Sequence, residues 1–149
     1  MKSLAKNRRA KFDYEILKEY EAGVVLKGFE VKSVKNNRAS LKGSYVVAHD
    51  EELFLVNAHI PPYEFAADMP DYDPERSRKL LLHKREISHL QGKSKTEGLT
   101  MIPLSMYNKK GKIKLLFGLA KGKKRYDKRQ VIKEREDGIK IQRAMKQRR

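Results

Sequence analysis

Residues 99–120 read LTMIPLSMYNKKGKIKLLFGLA, and this stretch decides the fold. The run 99–107 is uncharged and mostly apolar. Asn108, Lys109, Lys110 and Gly111 interrupt it, and residues 112–120 return to apolar character. Two such runs around a short turn containing Asn and Gly predict an antiparallel hairpin.

Further hairpin signals precede it. Residues 44–47, Ser-Tyr-Val-Val, sit in a predicted strand over 40–48. His49, Asp50, Glu51 and Glu52 form the expected turn, and Leu53-Phe54-Leu55-Val56 returns as its partner. Earlier still, Phe12, Tyr14 and Ile16 alternate with Asp13 and Glu15, the pattern of a half-buried strand that continues into Val24-Val25-Leu26. Residues 28–36 are expected to form a short helix. A loop rich in Pro and Asp occupies 61–74 and ends in Asp73-Pro74-Glu75, which predicts a helix start with Asp73 as N-cap. That helix is expected to run to about Leu90 and to close at Gly92. Leu80, His83, Ile87 and Leu90 would share its narrow apolar side, with Arg76, Lys79, Arg85 and Glu86 opposite. Short strands, hairpin turns and one long helix predict a mainly β domain with flanking helices. An OB-type, partly open β-barrel is the natural candidate, a fold that binds oligonucleotides.

Charge supplies the second argument. The 149 residues hold 35 Lys and Arg against 19 Asp and Glu, a formal net charge of +16. Like charges repel in the compact state, so such an excess points to a polyanionic partner. No apolar run is long enough to cross a bilayer. The N-terminal residues 1–11 are basic without the apolar core of a secretion signal, so a mobile basic arm is expected there instead. Cysteine is absent, which rules out disulfides and thiolate metal sites and fits a cytoplasmic protein. From residue 121 onward there are 13 cations and 4 acids, more than half of the whole excess. The chain is therefore expected to divide into a body, 1–120, and a basic tail, 121–149.

Catalytic chemistry is missing. His83 and His89 lie six apart on the predicted helix, about 240° around its axis, and do not share a ligand face. The acidic loop Asp68, Asp71, Asp73 and Glu75 lacks the central Gly and distal Glu of an EF-hand. GLAKGKK, residues 118–124, is one residue short of a Walker loop and has no Ser or Thr after its lysines. There is no G-x-S-x-G elbow. Neither an enzyme, nor a metal site, nor a cofactor is expected.

What is present is KGKKRYDKR, residues 121–129, in which six of nine residues are cations and Tyr126 is the single aromatic. Lysines and arginines suit a phosphate backbone, each contact releasing counterions, and the ring suits stacking on an exposed base. Val131, Ile132, Ile139, Ile141 and Met145 add a sparse apolar stripe interrupted by Gly138. Such a tail is expected to be disordered when free and to become helical when a partner neutralises it.

Four segments, in this order, carry a resemblance: Glu21-Ala22-Gly23; Gly28-Phe29-Glu30-Val31-Lys32-Ser33; residues 78–87, RKLLLHKREI; and residues 120–124, AKGKK, with Tyr126-Asp127-Lys128-Arg129. Together, over roughly residues 7–143, the chain resembles the SmpB family of tmRNA-binding proteins. The resemblance implies an OB-type barrel that binds the tRNA-like domain of tmRNA, enters the empty A site of a stalled ribosome with an elongation factor and GTP, and places its tail in the vacant mRNA channel. It implies tmRNA-facing positions at Glu21, Leu81, His83 and Lys114. Ribosome-facing positions are implied at Lys121, Lys123, Lys124, Tyr126, Asp127, Lys128 and Arg129. Glu21 is unusual for an RNA contact: it either accepts a hydrogen bond from a base edge or 2′-OH, or pairs with a barrel cation. Asn36-Asn37 departs from the family's usual basic turn, although Asn keeps the left-handed conformation accessible. A generic single-stranded-RNA or ribosomal barrel is the competing expectation.

Overall fold

The computed structural model describes residues 2–64 and 69–123. In chain order the elements are β1 (Ser3–Lys6), α1 (Ala10–Asp13), β2 (Tyr14–Val24), α2 (Gly28–Lys35), β3 (Tyr45–His49), β4 (Glu52–Val56), β5 (Arg78–Leu81), α3 (Lys84–Glu97), β6 (Thr100–Lys109) and β7 (Lys112–Gly122). The 99–120 hairpin forms as expected, with Thr100 opposite Ala120 and Lys109 opposite Lys112. Lys110 and Gly111 turn the chain at positive φ.

Six strands close on themselves in the order β6-β3-β4-β5-β2-β7, with β7 returning to β6 and β1 added along β6. Two seams of this ring are thin. Val46 opposite Met101 is the single pair joining β3 to β6, and Gly23–Leu81 and Val24–Leu80 are the two joining β2 to β5. An OB-type, partly open barrel is the architecture. Inside it Tyr20 stacks on Phe117, ring centroids 5.7 Å apart, across the β2–β7 pairing. Leu53, Leu55, Leu80, Met106 and Leu115 surround them, and α3 contributes Ile87 and Leu90. A smaller outer cluster of Ala10, Tyr14, Ile102, Leu104 and Ala120 lies beside α1.

Several boundaries differ from the local signals. The N-terminus is no mobile arm where it is described: Ser3 pairs with Tyr107 and Lys6 with Ser105, and the Asn7 amide donates to the Leu104 carbonyl at 2.8 Å. The edge of β6 beyond Met101 has unmet donors and acceptors, and β1 satisfies them. Phe12 belongs to α1 and is 69% exposed, so the alternating strand starts at Tyr14. The helix expected from Asp73 does not form there. Asp73 instead accepts from the Glu75 amide in a local turn, and residues 78–81 become a strand because β4 and β2 both need a partner. The helix begins at Lys84 and ends at Glu97, capped by Gly98 with a left-handed φ of 63°, while Gly92 lies inside it. Asn37 does take the left-handed turn expected of it, with φ 60°. The body extends past residue 120, since Lys121 pairs with Glu15 and Gly122 with Tyr14. The tail from residue 124 onward, with its expected disorder, lies outside the described residues.

One polar cluster holds α2 against the barrel. Glu30 and Arg78 are both fully buried. Arg78 Nη2 and Nε donate to Glu30 Oε2 at 2.7 and 3.0 Å. Arg76 donates to both carboxylate oxygens, and the Lys27 amide reaches Oε1 at 2.7 Å. Arg78 also binds the carbonyls of Ala58 and Pro74, at 2.7 and 2.9 Å. The Tyr72 hydroxyl sits 2.8 Å from Glu30 and 2.6 Å from the Ile60 carbonyl. Burial alone would push the Glu30 carboxyl up, but the two guanidinium groups and the Lys27 amide outweigh it and bring it down to about 2. A carboxyl held below its ordinary value stabilises the fold above that value, and the contribution is lost as pH falls through the folded one. Glu30→Gln therefore should destabilise the protein by about 3–5 kcal/mol near neutrality, because Arg78 is left buried without a counter-charge. In denaturant titrations the gap between wild type and variant should narrow between about pH 4.5 and about pH 2.

Candidate RNA interface

The register of four neighbouring strands builds one outer-face row. Leu81 on β5 stands opposite Gly23 on β2, Gly23 opposite Lys114 on β7, and Lys114 opposite Tyr107 on β6. Residues directly opposite in antiparallel strands point to the same side, so the row spans about 14 Å at the usual strand spacing. Glu21, two residues from Gly23, projects from the same face.

Each position has a physical cause. Leu81 ends β5 and is 54% exposed, because Leu80 before it takes the inward place. His83 is exposed at the N-cap position of α3 with extended backbone, φ −67° and ψ 145°. Gly23 leaves a gap in the row: a Cβ there would lie 3.4 Å from the Leu81 Cβ and 3.7 Å from Lys114 Nζ. A cleft of about 270 Å³ opens at that gap, lined by Gly23, Leu26, Val31, Leu81 and Lys114 among others. It offers apolar walls, two lysines, Lys112 and Lys114, and the neighbouring Glu21 carboxylate, which together suit an unstacked base with its phosphate.

Glu21 has partners inside the protein. The Tyr107 hydroxyl donates to Oε2, and Lys109 Nζ lies 3.2 Å from Oε1. The Tyr107 hydrogen bond, opposed by partial burial and aided by Lys109 and Lys114, holds the Glu21 carboxyl below its ordinary range. Burial, and then Glu21 itself, push the Tyr107 phenol upward. The carboxylate thus pairs with a barrel cation, one of the two expectations, yet its side chain keeps 34% of its surface exposed.

Of the expected tmRNA-facing residues, Glu21, Leu81 and Lys114 come together and His83 follows Leu81 by two positions. Lys121 and Lys123 are elsewhere. Lys121 pairs with Glu15. Lys123 donates through its amide to the Asp13 carbonyl and through Nζ to the Lys11 carbonyl, both at 3.1 Å. Along β7, Lys121 is roughly 24 Å from Lys114. Lys124, Tyr126, Asp127, Lys128 and Arg129 lie outside the described residues. Tyr107 and Lys109 were not singled out by sequence; nothing local distinguishes them from other strand and turn residues. Among the described residues no cluster of His, Asp and Glu is placed to hold a metal ion, and no helix is long and apolar enough to cross a membrane.

The fold and this surface define an OB-type barrel of the RNA-binding class. Comparison with known proteins narrows the class to one family. The model of the SmpB protein family matches residues 4–147, and the chain belongs to that family. The SsrA-binding protein of Trichodesmium erythraeum is 49% identical over 146 residues, 98% of this chain and 94% of its own length. That of Listeria monocytogenes serotype 4b is 50% identical over 147 residues, 99% and 95% of the two chains. A solved structure, "tmRNA-SmpB: a journey to the center of the bacterial ribosome", superposes with a TM-score of 0.67 at 47% identity, covering 90% of this chain and 92% of that one.

Filling the gap in the row tests whether the row is used. Gly23→Val adds a branched side chain between Leu81 and Lys114, and β-branching suits a strand. The variant should keep its thermal midpoint within a few degrees and bind the tRNA-like RNA at least about tenfold more weakly, measured by filter binding at fixed salt.

Proposed function

We propose that this protein binds the tRNA-like domain of tmRNA and delivers it to the empty A site of stalled ribosomes, so that an incomplete nascent chain is tagged for proteolysis. The observation that carries this reading is the outer-face row of Leu81, Gly23 and Lys114 beside Glu21, in a chain of the SmpB family. In this reading Leu81 packs on an unstacked base of the tRNA-like fold. Lys114 neutralises a phosphate and releases a counterion, His83 stacks or hydrogen-bonds at the rim, and Glu21 accepts a hydrogen bond. The protein acts by binding rather than by catalysis, in the cytoplasm, and enters the ribosome together with an elongation factor and GTP.

The ribosome is met at the far end of the β2–β7 ribbon. Lys121 and Lys123 stand there, and with Lys124, Tyr126, Asp127, Lys128 and Arg129, which follow them in sequence, they meet the decoding centre and the vacant mRNA channel. Cations meet rRNA phosphates, Tyr126 stacks on a base, and Asp127 makes a directed hydrogen bond or caps a helix. The roughly 24 Å between Lys114 and Lys121 along β7 supports separate roles for body and tail.

Because Lys121 and Gly122 belong to β7, the informative truncation falls after Lys123. The shortened chain should bind the tRNA-like RNA within about threefold of the full protein and should lose tagging in a reconstituted stalled-ribosome assay. Loss of RNA binding with the tail would contradict the division.

A further inference from the structure

Glu21 is anomalous for a surface that meets RNA. A lone carboxylate repels phosphates, and a strand offers many neutral side chains that would serve as well. The anomaly eases once its surroundings are counted. Tyr107 reaches over β7 from β6 to donate to Oε2, and Lys109, two residues further along the same side of β6, contacts both oxygens at 3.2 and 3.4 Å. Lys114 lies between them on β7 and adds a favourable charge. Tyr107 is 9% exposed and Glu21 about a third exposed, so the donor is buried and the acceptor faces out. With two lysines beside one carboxylate the local charge stays positive, while a carboxylate has about four acceptor directions and the internal partners need not fill them.

We infer that Tyr107 and Lys109 are positioning residues for RNA recognition, holding the Glu21 carboxylate as the acceptor for a polar hydrogen of the bound RNA. This rests on the reading of Glu21 as an RNA contact. The hydrogen comes from a ribose 2′-hydroxyl or from a base N–H, which share this chemistry. Fixing the acceptor before binding removes a rotamer cost and sets direction. A purely architectural bond between β6 and β2 would change stability alone.

The test measures affinity of the full chain for the tRNA-like RNA from about pH 4 to pH 7, across the ordinary carboxyl range. Wild type is compared with Tyr107→Phe, Lys109→Met, Glu21→Gln and the double variant Glu21→Gln/Tyr107→Phe, with thermal midpoints recorded for each. At neutral pH, Glu21→Gln should weaken binding about tenfold, and Tyr107→Phe and Lys109→Met several-fold each, the size expected for one charge-assisted hydrogen bond. The double variant should be no weaker than Glu21→Gln. On acidification, binding by Tyr107→Phe and Lys109→Met should fall at a higher pH than in wild type, because the groups that keep the carboxyl ionised are gone. Single 2′-deoxy substitutions in the RNA, or inosine for guanosine, should lose their effect in the Glu21→Gln background, and whichever does so identifies the source of the hydrogen. Multiplicative losses in the double variant, or wild-type affinity and pH profile in Tyr107→Phe and Lys109→Met, would overturn the inference while leaving Glu21 in place. Unchanged binding by Glu21→Gln would overturn the reading of Glu21 itself.

Discussion

Taking the Glu30 carboxylate and the Arg78 guanidinium out of water together imposes the condition on which the rest of the molecule depends. Each ion alone would carry a desolvation penalty of several kcal/mol, so neither is tolerable without the other and without further hydrogen bonds. Those bonds come from distant parts of the chain: the Lys27 amide, the Ala58 and Pro74 carbonyls, and the Tyr72 hydroxyl. Satisfying them fixes α2, the long connection after β4 and the start of β5 relative to one another. β5 pairs with β4 through three residue pairs and with β2 through two, and this anchor adds a third hold at its first residue, Arg78. The Gly23–Leu81 pair, and with it the candidate RNA-binding row, is braced from behind by this buried ion pair.

The sheet then separates two chemically different ends. The β2–β7 ladder runs from Gly23–Lys114 at one end to Tyr14–Gly122 at the other. At the first end the outer face is recessed, with a glycine gap, an exposed leucine and an escorted carboxylate. At the second, Lys123 is tied to the last turn of α1 through the Asp13 and Lys11 carbonyls. In the proposed function, this ribbon separates the end that would hold a folded RNA from the end at which the cationic segment begins. Net charge favours association with any polyanion and raises encounter rates; selectivity has to come from the shaped end.

Much of the β framework was legible because hairpins are written locally. The turns at Asp50-Glu51 and Lys110-Gly111, flanked by apolar runs, give β3–β4 and β6–β7 directly, and Gly28–Lys35 reads as a helix from its own residues. The errors fall where long-range pairing overrides a local signal. Asp73-Pro74 looks like a helix start, yet residues 78–81 are needed between β4 and β2. Residues 3–6 look like a loose basic arm, yet Leu4 and Ala5 fill the open edge of β6. Arg78 was invisible as a core residue because a fully buried arginine contradicts every compositional expectation, and Glu30 reads as an ordinary acid in a first helical turn. At the candidate interface the sequence motifs pointed to Glu21, Leu81, His83 and Lys114, but only the register shows that three of them adjoin. Tyr107 and Lys109 depend on a contact across an intervening strand, which no local pattern encodes.

In the proposed function, the outer-face row selects a folded RNA by shape, beyond the attraction that net charge gives any RNA. Competition binding tests it most directly: labelled tRNA-like domain of tmRNA bound to the full chain at one fixed, near-physiological salt concentration, displaced by unlabelled tRNA-like domain or by bulk tRNA. Bulk tRNA should be a far poorer competitor, by at least about a hundredfold in concentration, a margin of about 3 kcal/mol. Equal competition by the two RNAs would contradict it, and would leave a generic cationic barrel in its place.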